Sequence, residues 1–497
     1  MAALLAFQLK SCNPNGQQHK AKTNEDKSNT LAKTFFPPMP NTTTVLADYL
    51  YPELLPNPTP ITEDQLLWAI NKLSAYKAPG PDEIPNAMFK NCSNVLTPHL
   101  LCIYRAVFLL NTYYPPWQEF NTMVQWKPRC PDYLIPKAYK LIALLNTTAK
   151  LLTSIITDHM SHIIETHHLL PTTHFGGRPG QSTTDSLHLL KAMVKNAWCT
   201  HKIASTLFLN IEGAFHTVIE HLLHNMQCWK IPDSLVNFTE WVLLNRKTKL
   251  MFDGHKSDWI PITNGIGQGN PLCMIIYIIY NTDLINIAQG HPNELTLAFV
   301  NDTIFITTGK STKEMHCTLQ DMLEQTEGGL DWSFNHNSKF KTNKFALIDF
   351  TPTKQSSCPL NVWRTTIMPS ISHKFLGVII DECLSWHQYI NYTISKGTPY
   401  TLQLCRLATA SKGLCYDFFP FPCLFPRLCS MTPLLLFRSL LPGDQPIPTR
   451  LPWLLFSSPV SSLVSLCSTG LSHSLVTSLM VTMFPPPSIE FYDLPLR

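Results

Sequence analysis

The spacing of apolar residues changes several times along the chain and separates helical from strand-like segments. In four segments apolar residues recur at helical spacing, which predicts helices over residues 61–73, 96–110, 147–165 and 183–198. Thr62 is the predicted N-cap of the first helix, because acidic residues follow it in the first turn. Short strands are interleaved with helices between residues 123 and 381. This pattern predicts an α+β or α/β body.

The segment LFLNIEGAF, residues 207–215, predicts a buried strand with a polar side chain at its end. Its apolar residues surround Asn210, which stands at the C-terminal end of the strand. Polar groups at the ends of buried strands are where α/β proteins place ligand-binding residues. The alternative interpretation is an asparagine that satisfies backbone groups at a strand end.

The segment NGIGQGNPLCMIIYIIYN, residues 264–281, joins a glycine-rich loop to a helix that is apolar on nearly every side. Such a helix is predicted to be central in the fold. The glycines of the loop allow a ligand to approach the backbone closely. A glycine-rich turn before a helix is common, so this segment alone assigns no function.

The segment LTLAFVNDTIFITTG, residues 295–309, predicts a buried hairpin with Asn301 and Asp302 at its tip. Both residue types tolerate turn geometry, so turn chemistry alone is one explanation of the pair. The apolar flanks indicate buried strands, and a polar pair between buried strands is also a candidate ligand site.

The composition of the 497-residue chain is that of an ordinary soluble protein of two or three structural units. Its net charge of +4 is compatible with a polyanionic partner only if the basic residues cluster. The 15 cysteines form no C-x-x-C pair and no Cys/His array, so neither a zinc site nor a disulfide framework is predicted. Their odd number and the lack of a predicted secretory signal favour a reducing intracellular location, nuclear or cytoplasmic.

Residues 451–489 contain no Asp, Glu, Lys or Arg, and serines interrupt every apolar stretch. We therefore predict a disordered tail rather than a membrane-associated segment.

The three segments above occur in one order, and together with further motifs they resemble a known family. These motifs are KAPGPDEIP (77–85), PKAYKLIALLNTTAKLL from Pro136, HFGGRPGQSTTD (174–185) and HKFLGVIIDECLSW (373–386). Over about residues 76–407 the chain resembles the reverse transcriptases of non-LTR (LINE-type) retrotransposons, in particular a fungal-looking branch.

The resemblance implies an α+β right-hand polymerase with fingers, palm and an incomplete thumb. It divides the chain into a disordered polar lead-in (1–60), a helical fingers extension (61–120), fingers and palm (121–380), the start of a thumb (381–414) and the disordered tail (415–497). The palm is expected to be an antiparallel sheet of about four strands that carries Asn210 and the Asn301 hairpin.

The resemblance also implies a site for two Mg²⁺ ions, built in the family from three aspartates. These positions fall on Asn210, Asn301 and Asp302, so two of the three carboxylates are amides. An amide oxygen can bind Mg²⁺ but brings no charge to offset it. Other positions also depart from the family pattern, and the pattern stops near residue 414. We therefore expect a degenerate copy with impaired catalysis.

The nucleotide-binding positions are better retained. The resemblance implies that Lys127, Lys140, Phe215, Gln268 and Gly269 bind the incoming dNTP.

By the same resemblance, Lys344 protonates the leaving pyrophosphate, and the expected partners are an RNA template and a DNA primer. Two alternatives remain: a non-catalytic nucleic-acid-binding protein that uses the polymerase channel, and a weakly active reverse transcriptase.

Overall fold

The computed structural model describes residues 9–12, 18–21, 23–39, 45–46, 48–128, 130–212, 218–267, 269–352, 358–363 and 365–407. They belong to two compact units, Met1–Ser370 and Ile371–Arg497. The predicted tail at 415–497 lies outside the described residues. Among the helices that are described, none has the length and apolar character that a bilayer crossing requires.

The N-terminal segment contains a hairpin and a helix, so the expectation of a disordered lead-in is wrong for this part. Its elements are β1 (Lys10–Cys12), β2 (Gln18–Lys20) and α1 (Asn24–Phe35). Thr23 and Asp26 form a capping box at the start of α1. Leu9 and Leu31 are fully buried in an apolar cluster with strands far along the chain. Local polarity hid this order because the stabilising contacts are distant.

Three helices follow: α2 (Glu63–Lys72), α3 (Asn86–Asn91) and α4 (Ser93–Leu109). The predicted N-cap is confirmed, since the Thr62 hydroxyl accepts a hydrogen bond from the Gln65 N–H at 3.3 Å. Helix α4 starts three residues earlier than predicted and contains Pro98, which has no N–H to donate within the helix.

The remainder of the first unit alternates strands and helices. In chain order these are β3 (Glu119–Trp126), β4 (Tyr139–Leu144), α5 (Thr147–Thr166), α6 (Thr183–Cys199), β5 (Ile203–Phe208), β6 (Ile211–Glu212), α7 (Ile219–Cys228), α8 (Asp233–Leu243), β7 (Arg246–Phe252), β8 (His255–Lys256), β9 (Ile260–Ile262), α9 (Cys273–Tyr280), α10 (Thr282–Asn286), β10 (Glu294–Phe299), β11 (Asp302–Gly309), α11 (Thr312–Glu324), α12 (Gly329–Asn335), β12 (Lys339–Phe340), β13 (Ala346–Phe350), β14 (Leu360–Val362) and β15 (Thr365–Ile367). The predicted helices at 147–165 and 183–198 are confirmed as α5 and α6.

Two sheets organise this unit. Strands β10, β11, β5 and β13 form, in that order, a four-stranded sheet whose neighbouring pairs are all antiparallel. This confirms the expected four-stranded antiparallel sheet, and α6 and α11 pack against it. The second sheet has the order β4-β3-β7-β8, with β9 also paired to β7. Its β3–β7 pair is parallel.

Helix α9 lies inside an apolar core, as its sequence predicts. Residues 275–280 are each at most 1% exposed, and α9 packs against α5, α7 and α10. Full burial of one large apolar side chain contributes about 1.5–3 kcal/mol. This helix therefore stabilises the elements that support the four-stranded sheet.

The second unit contains β16 (Ser372–Phe375), β17 (Val378–Asp381) and α13 (His387–Leu407). The Asp381 carboxylate accepts hydrogen bonds from the N–H groups of Cys383, Ser385 and Trp386 at 3.2, 2.8 and 2.8 Å. These bonds fix the turn between β17 and α13, where the resemblance places the start of a thumb.

Candidate active site

The register between β5 and β11 predicts that Asn210 lies near Asp302. Phe208 pairs with Ile304 across β5 and β11. Beyond β5, the Leu209 N–H still donates to the Thr303 carbonyl oxygen at 2.9 Å. The ladder between β5 and β11 ends at the Phe208–Ile304 pair, and continuing its register by two residues would set Asn210 opposite Asp302. Opposed residues of an antiparallel pair project from the same face with Cβ atoms about 5 Å apart.

The hairpin turn is displaced by one residue from its predicted position. Because Phe299 pairs with Asp302, the two loop residues are Val300 and Asn301. Asp302 is thus the first residue of β11 and not part of the tip. Val300 has φ 59°, a left-handed conformation that costs a β-branched residue about 1–3 kcal/mol.

The side chains of Asn301 and Asp302 bind each other. Asn301 Nδ2 donates to Asp302 Oδ1 at 3.0 Å. Asp302 is half-buried, and burial raises the pKa of its carboxyl above the ordinary value. The pair therefore behaves as a partly desolvated carboxylate with one of its oxygens occupied by an amide donor.

A glycine-containing loop supports this turn. The Phe175 N–H donates to the Ala298 carbonyl at 2.9 Å, and the Ala298 N–H donates to the Thr173 carbonyl at 3.1 Å. These bonds cover the edge of β10. A Cβ atom on Gly176 would lie 2.5 Å from the Val300 nitrogen, so only glycine allows this approach.

An ion pair holds the same loop. The buried Arg178 guanidinium donates to both carboxylate oxygens of Glu165, with Nε–Oε1 at 2.7 Å and Nη2–Oε2 at 2.8 Å. Its Nη1 donates to the Pro171 carbonyl at 2.7 Å. The motif at 174–185 therefore supports the hairpin turn, a role that the sequence alone did not reveal.

Directly after Asn210 the chain forms the short strand β6. The Lys341 N–H donates to the Asn210 carbonyl oxygen at 2.9 Å, and β6 pairs with β12. Lys344 ends the 3-10 turn Thr342–Lys344 and is exposed. Its side chain thus lies on the connection that contacts Asn210 through the backbone.

The glycine-rich loop is held by an arginine that the sequence analysis missed. Arg246 is only 5% exposed, and burial lowers the pKa of its guanidinium to about 10. It donates to the carbonyl oxygens of Leu243, Asn264 and Gly265 at 2.7, 3.4 and 2.5 Å. A single arginine in a strand carries no local signal of such a role.

Three of the predicted nucleotide-binding positions, Lys127, Lys140 and Gly269, lie on or next to β3 and β4. Gly269 has φ 118°, and a Cβ there would lie 2.5 Å from the Ala143 carbonyl oxygen, so the loop contacts β4. Lys140 is exposed on β4, and Lys127 follows β3, where its Nζ donates to the Lys137 carbonyl at 2.9 Å. Among the described residues, no hydrogen bond or strand pairing joins either lysine to Asn210 or Asp302.

Phe215 and Gln268, the two other predicted nucleotide-binding residues, lie outside the described residues.

The donor set at the sheet end does not fit two Mg²⁺ ions. It contains one carboxylate and two amides, and the Asn301 amide nitrogen faces the carboxylate rather than leaving it free. Mg²⁺ favours several oxygen ligands in near-octahedral geometry, with carboxylates to balance its charge. Of the three side chains Asn210, Asn301 and Asp302, only Asp302 supplies such a charge.

A mixed helix-and-sheet body with this antiparallel sheet and hairpin has the fold of a reverse transcriptase. The family described as reverse transcriptase (RNA-dependent DNA polymerase) matches residues 127–380, and the chain belongs to it.

Three curated relatives come from insect mobile elements. A "probable RNA-directed DNA polymerase from transposon X-element" of Drosophila melanogaster is 23% identical over 334 residues, which cover 67% of this chain and 36% of the relative. The "RNA-directed DNA polymerase from mobile element jockey" of Drosophila funebris is 24% identical over 340 residues, or 67% of this chain and 36% of the relative.

A "retrovirus-related Pol polyprotein from type-1 retrotransposable element R2" of Nasonia vitripennis is 24% identical over 347 residues, 65% of this chain and 31% of the relative. The chain spans about a third of the length of these relatives. They support the LINE-type assignment, whereas the fungal-looking branch stays a prediction.

Among solved structures, an apo telomerase from Candida tropicalis truncated from the C-terminal domain aligns with a TM-score of 0.38 and 10% identity, covering 61% of this chain and 60% of that chain.

Proposed function

We propose that this chain is a reverse transcriptase of a non-LTR retrotransposon in which nucleotidyl transfer is lost or nearly lost. Its family and its likeness to RNA-directed DNA polymerases of mobile elements support the reaction class. One observation carries the proposed loss. The Asn301 amide, which stands where the family has a carboxylate, donates to the Asp302 carboxylate at 3.0 Å.

The physical reason is the missing negative charge. A site of three carboxylates offsets much of the charge of two divalent ions, whereas this site has one carboxylate. In a partly desolvated site each lost charge costs several kcal/mol. Since about 1.4 kcal/mol corresponds to tenfold in rate, we expect the two amides together to lower the rate at least a thousandfold, as an order of magnitude.

In this proposal the four-stranded antiparallel sheet is the palm, and the five-stranded sheet with the preceding helices forms the fingers and their extension. The thumb begins after β17. The ligands are an RNA template, a DNA primer and a dNTP, with Mg²⁺ as the family's metal. The chain is a degenerate copy, because changed positions occur both at the metal site and elsewhere.

A non-catalytic nucleic-acid-binding protein is the second candidate. It is favoured by the retained basic positions Lys127, Lys140 and Lys344, all exposed. Exposed lysines can contact phosphates, and such binding weakens steeply with salt. This function needs none of the missing carboxylates.

Primer extension on an RNA template tests the proposal. The full chain is compared with the double variant Asn210→Asp and Asn301→Asp, with Mg²⁺ and separately with Mn²⁺. We expect extension by the double variant only. The matched control adds Asp302→Asn to the double variant and should abolish its activity again.

Extension by the unaltered chain would contradict the charge argument. If neither protein extends the primer but the full chain binds a primer–template duplex with salt-dependent affinity, the second candidate function is favoured. Absence of both activities would count against both candidate functions.

A further inference from the structure

Two histidines and an aspartate from three different helices lie close together. They are His221 in α7, Asp283 in α10 and His336, the residue that caps the C-terminus of α12. One potential ligand atom from each lies within 4.8 Å of the others. His336 is 3% exposed. The wide sequence spacing explains why no motif indicated this cluster.

The hydrogen bonds of His336 determine which ring nitrogen is free. Its Nδ1 lies 3.0 Å from the Trp332 carbonyl oxygen. A carbonyl oxygen only accepts, so Nδ1 carries a proton, and in the neutral ring Nε2 then has a lone pair. Nε2 is buried without a hydrogen-bond partner among the described residues, yet it lies 3.4 Å from Asp283 Oδ2.

A lone pair beside a carboxylate oxygen needs a hydrogen-bond donor or a positive charge between the two atoms. A second proton on His336, a bridging water molecule or a cation meets this need. His221 favours the cation, because its ring centroid is 4.0 Å from that of His336 and its Nδ1 is also buried without a partner in the described part of the chain. A proton on His336 would leave His221 Nδ1 without a partner. A metal ion can bind His221 Nδ1, His336 Nε2 and Asp283 Oδ2 together.

The surrounding contacts orient these groups as they do around bound metals. Asn225 Nδ2 donates to Asp283 Oδ2 at 2.9 Å, and the Tyr280 hydroxyl donates to the His336 carbonyl oxygen. Together with the Trp332 bond to Nδ1, these contacts fix the aspartate, the histidine backbone and the imidazole ring. Such outer hydrogen bonds select the tautomer and raise the basicity of metal ligands.

We propose that His221, Asp283 and His336 form a binding site for Zn²⁺ that joins α7, α10 and α12. Two imidazole nitrogens and one carboxylate oxygen are a ligand set that zinc uses. Zinc bonds of about 2.0–2.2 Å in a tetrahedron separate neighbouring ligand atoms by about 3.4 Å. The observed distance between His336 Nε2 and Asp283 Oδ2 is 3.4 Å.

The site would stabilise a segment next to the candidate active site. Helix α12 leads into β12, which pairs with β6 directly after Asn210. A metal that ties the end of α12 to α7 and α10 therefore holds this pairing in place. The inference does not depend on catalysis, because the zinc site is separate from Asn210, Asn301 and Asp302.

Zinc binding by the full chain is measured after dialysis against a chelator. ZnCl₂ is added, and bound metal is determined by elemental analysis while thermal unfolding is followed. We expect one Zn²⁺ per chain at this site and a higher unfolding temperature with Zn²⁺ than with Mg²⁺. Asp283→Asn and His221→Gln should each weaken this binding by about a hundredfold or more.

The matched control is His316→Gln. His316 is also buried beside an aspartate, with Nε2 2.9 Å from Asp349 Oδ1, but its Nδ1 contacts Cys358 Sγ at 3.4 Å. Both ring nitrogens are occupied, so this variant should bind zinc like the unaltered chain.

Absence of zinc binding by the unaltered chain would overturn the proposal, as would unchanged binding by the Asp283 and His221 variants. If these variants do not fold, Co²⁺ bound to the unaltered chain decides. Four-coordinate visible bands without thiolate charge transfer support the site, whereas six-coordinate or thiolate-bound spectra overturn it.

Discussion

Replacing Gly176 by alanine tests whether the loop before α6 holds the hairpin turn. The new methyl group would lie 2.5 Å from the Val300 nitrogen and 2.9 Å from the Phe299 carbonyl carbon. Because both atoms belong to the backbone, rotation of a side chain cannot relieve the clash. Overpacking of this kind costs about 1–3 kcal/mol, and we expect the upper end of that range.

The assay is urea unfolding of the full chain beside Gly180→Ala. Gly180 is in the same loop with φ 72°, and a methyl group added there would meet no atom within 4 Å, so its variant bears only the backbone penalty of about 1 kcal/mol. Hydrogen exchange should also quicken at the amides of Phe175 and Ala298 in Gly176→Ala alone. If Gly176→Ala lowers the free energy of unfolding by no more than Gly180→Ala does, the steric reasoning is refuted.

Three further changes test other contacts. Arg178→Met leaves Glu165 without its bidentate partner, so urea titration should show a free energy of unfolding lower by about 3 kcal/mol. An unchanged free energy of unfolding would contradict a stabilising role for this ion pair. Burial raises the folded-state pKa of the Asp302 carboxyl above its ordinary value of 3.8. The ionised carboxylate therefore lowers the stability of the folded chain, increasingly so as the pH rises above 3.8. Asp302→Asn should therefore raise the free energy of unfolding at neutral pH but not at acidic pH. Urea titration at the two pH values measures this difference. Asp381→Ala removes three backbone partners and should lower the thermal unfolding temperature of the second unit.

Local sequence was sufficient to predict many elements. Helix α2 begins after Thr62, and the all-round apolar segment forms the buried helix α9. These features depend on residues within a few turns of each other, through capping and apolar periodicity. The same local patterning predicted the order of strand, glycine-rich loop and hairpin, whereas the four-stranded antiparallel sheet was expected from the family resemblance.

The sequence selected Asn210, Asn301 and Asp302 as site residues, and their role stays a prediction. The structure shows that Asn301 and Asp302 bind each other at the start of β11. The turn itself was misplaced by one residue, because a left-handed Val300 is unfavourable locally. In this conformation the Val300 backbone packs closely against Gly176. Gly176 belongs to a loop more than a hundred residues earlier in the chain, so local sequence gave no sign of this contact.

The sequence by itself thus determined the family, much of the element order and the presence of asparagine at positions 210 and 301, because these are properties of residue type and local spacing. The tertiary structure alone decided which polar groups meet. It directed the Arg246 guanidinium to the glycine-rich loop and the Asn301 amide to Asp302. It also brought His221 and His336 together. Such encounters depend on how helices and strands pack over long separations, and burial then makes each unsatisfied polar atom costly enough to need a partner.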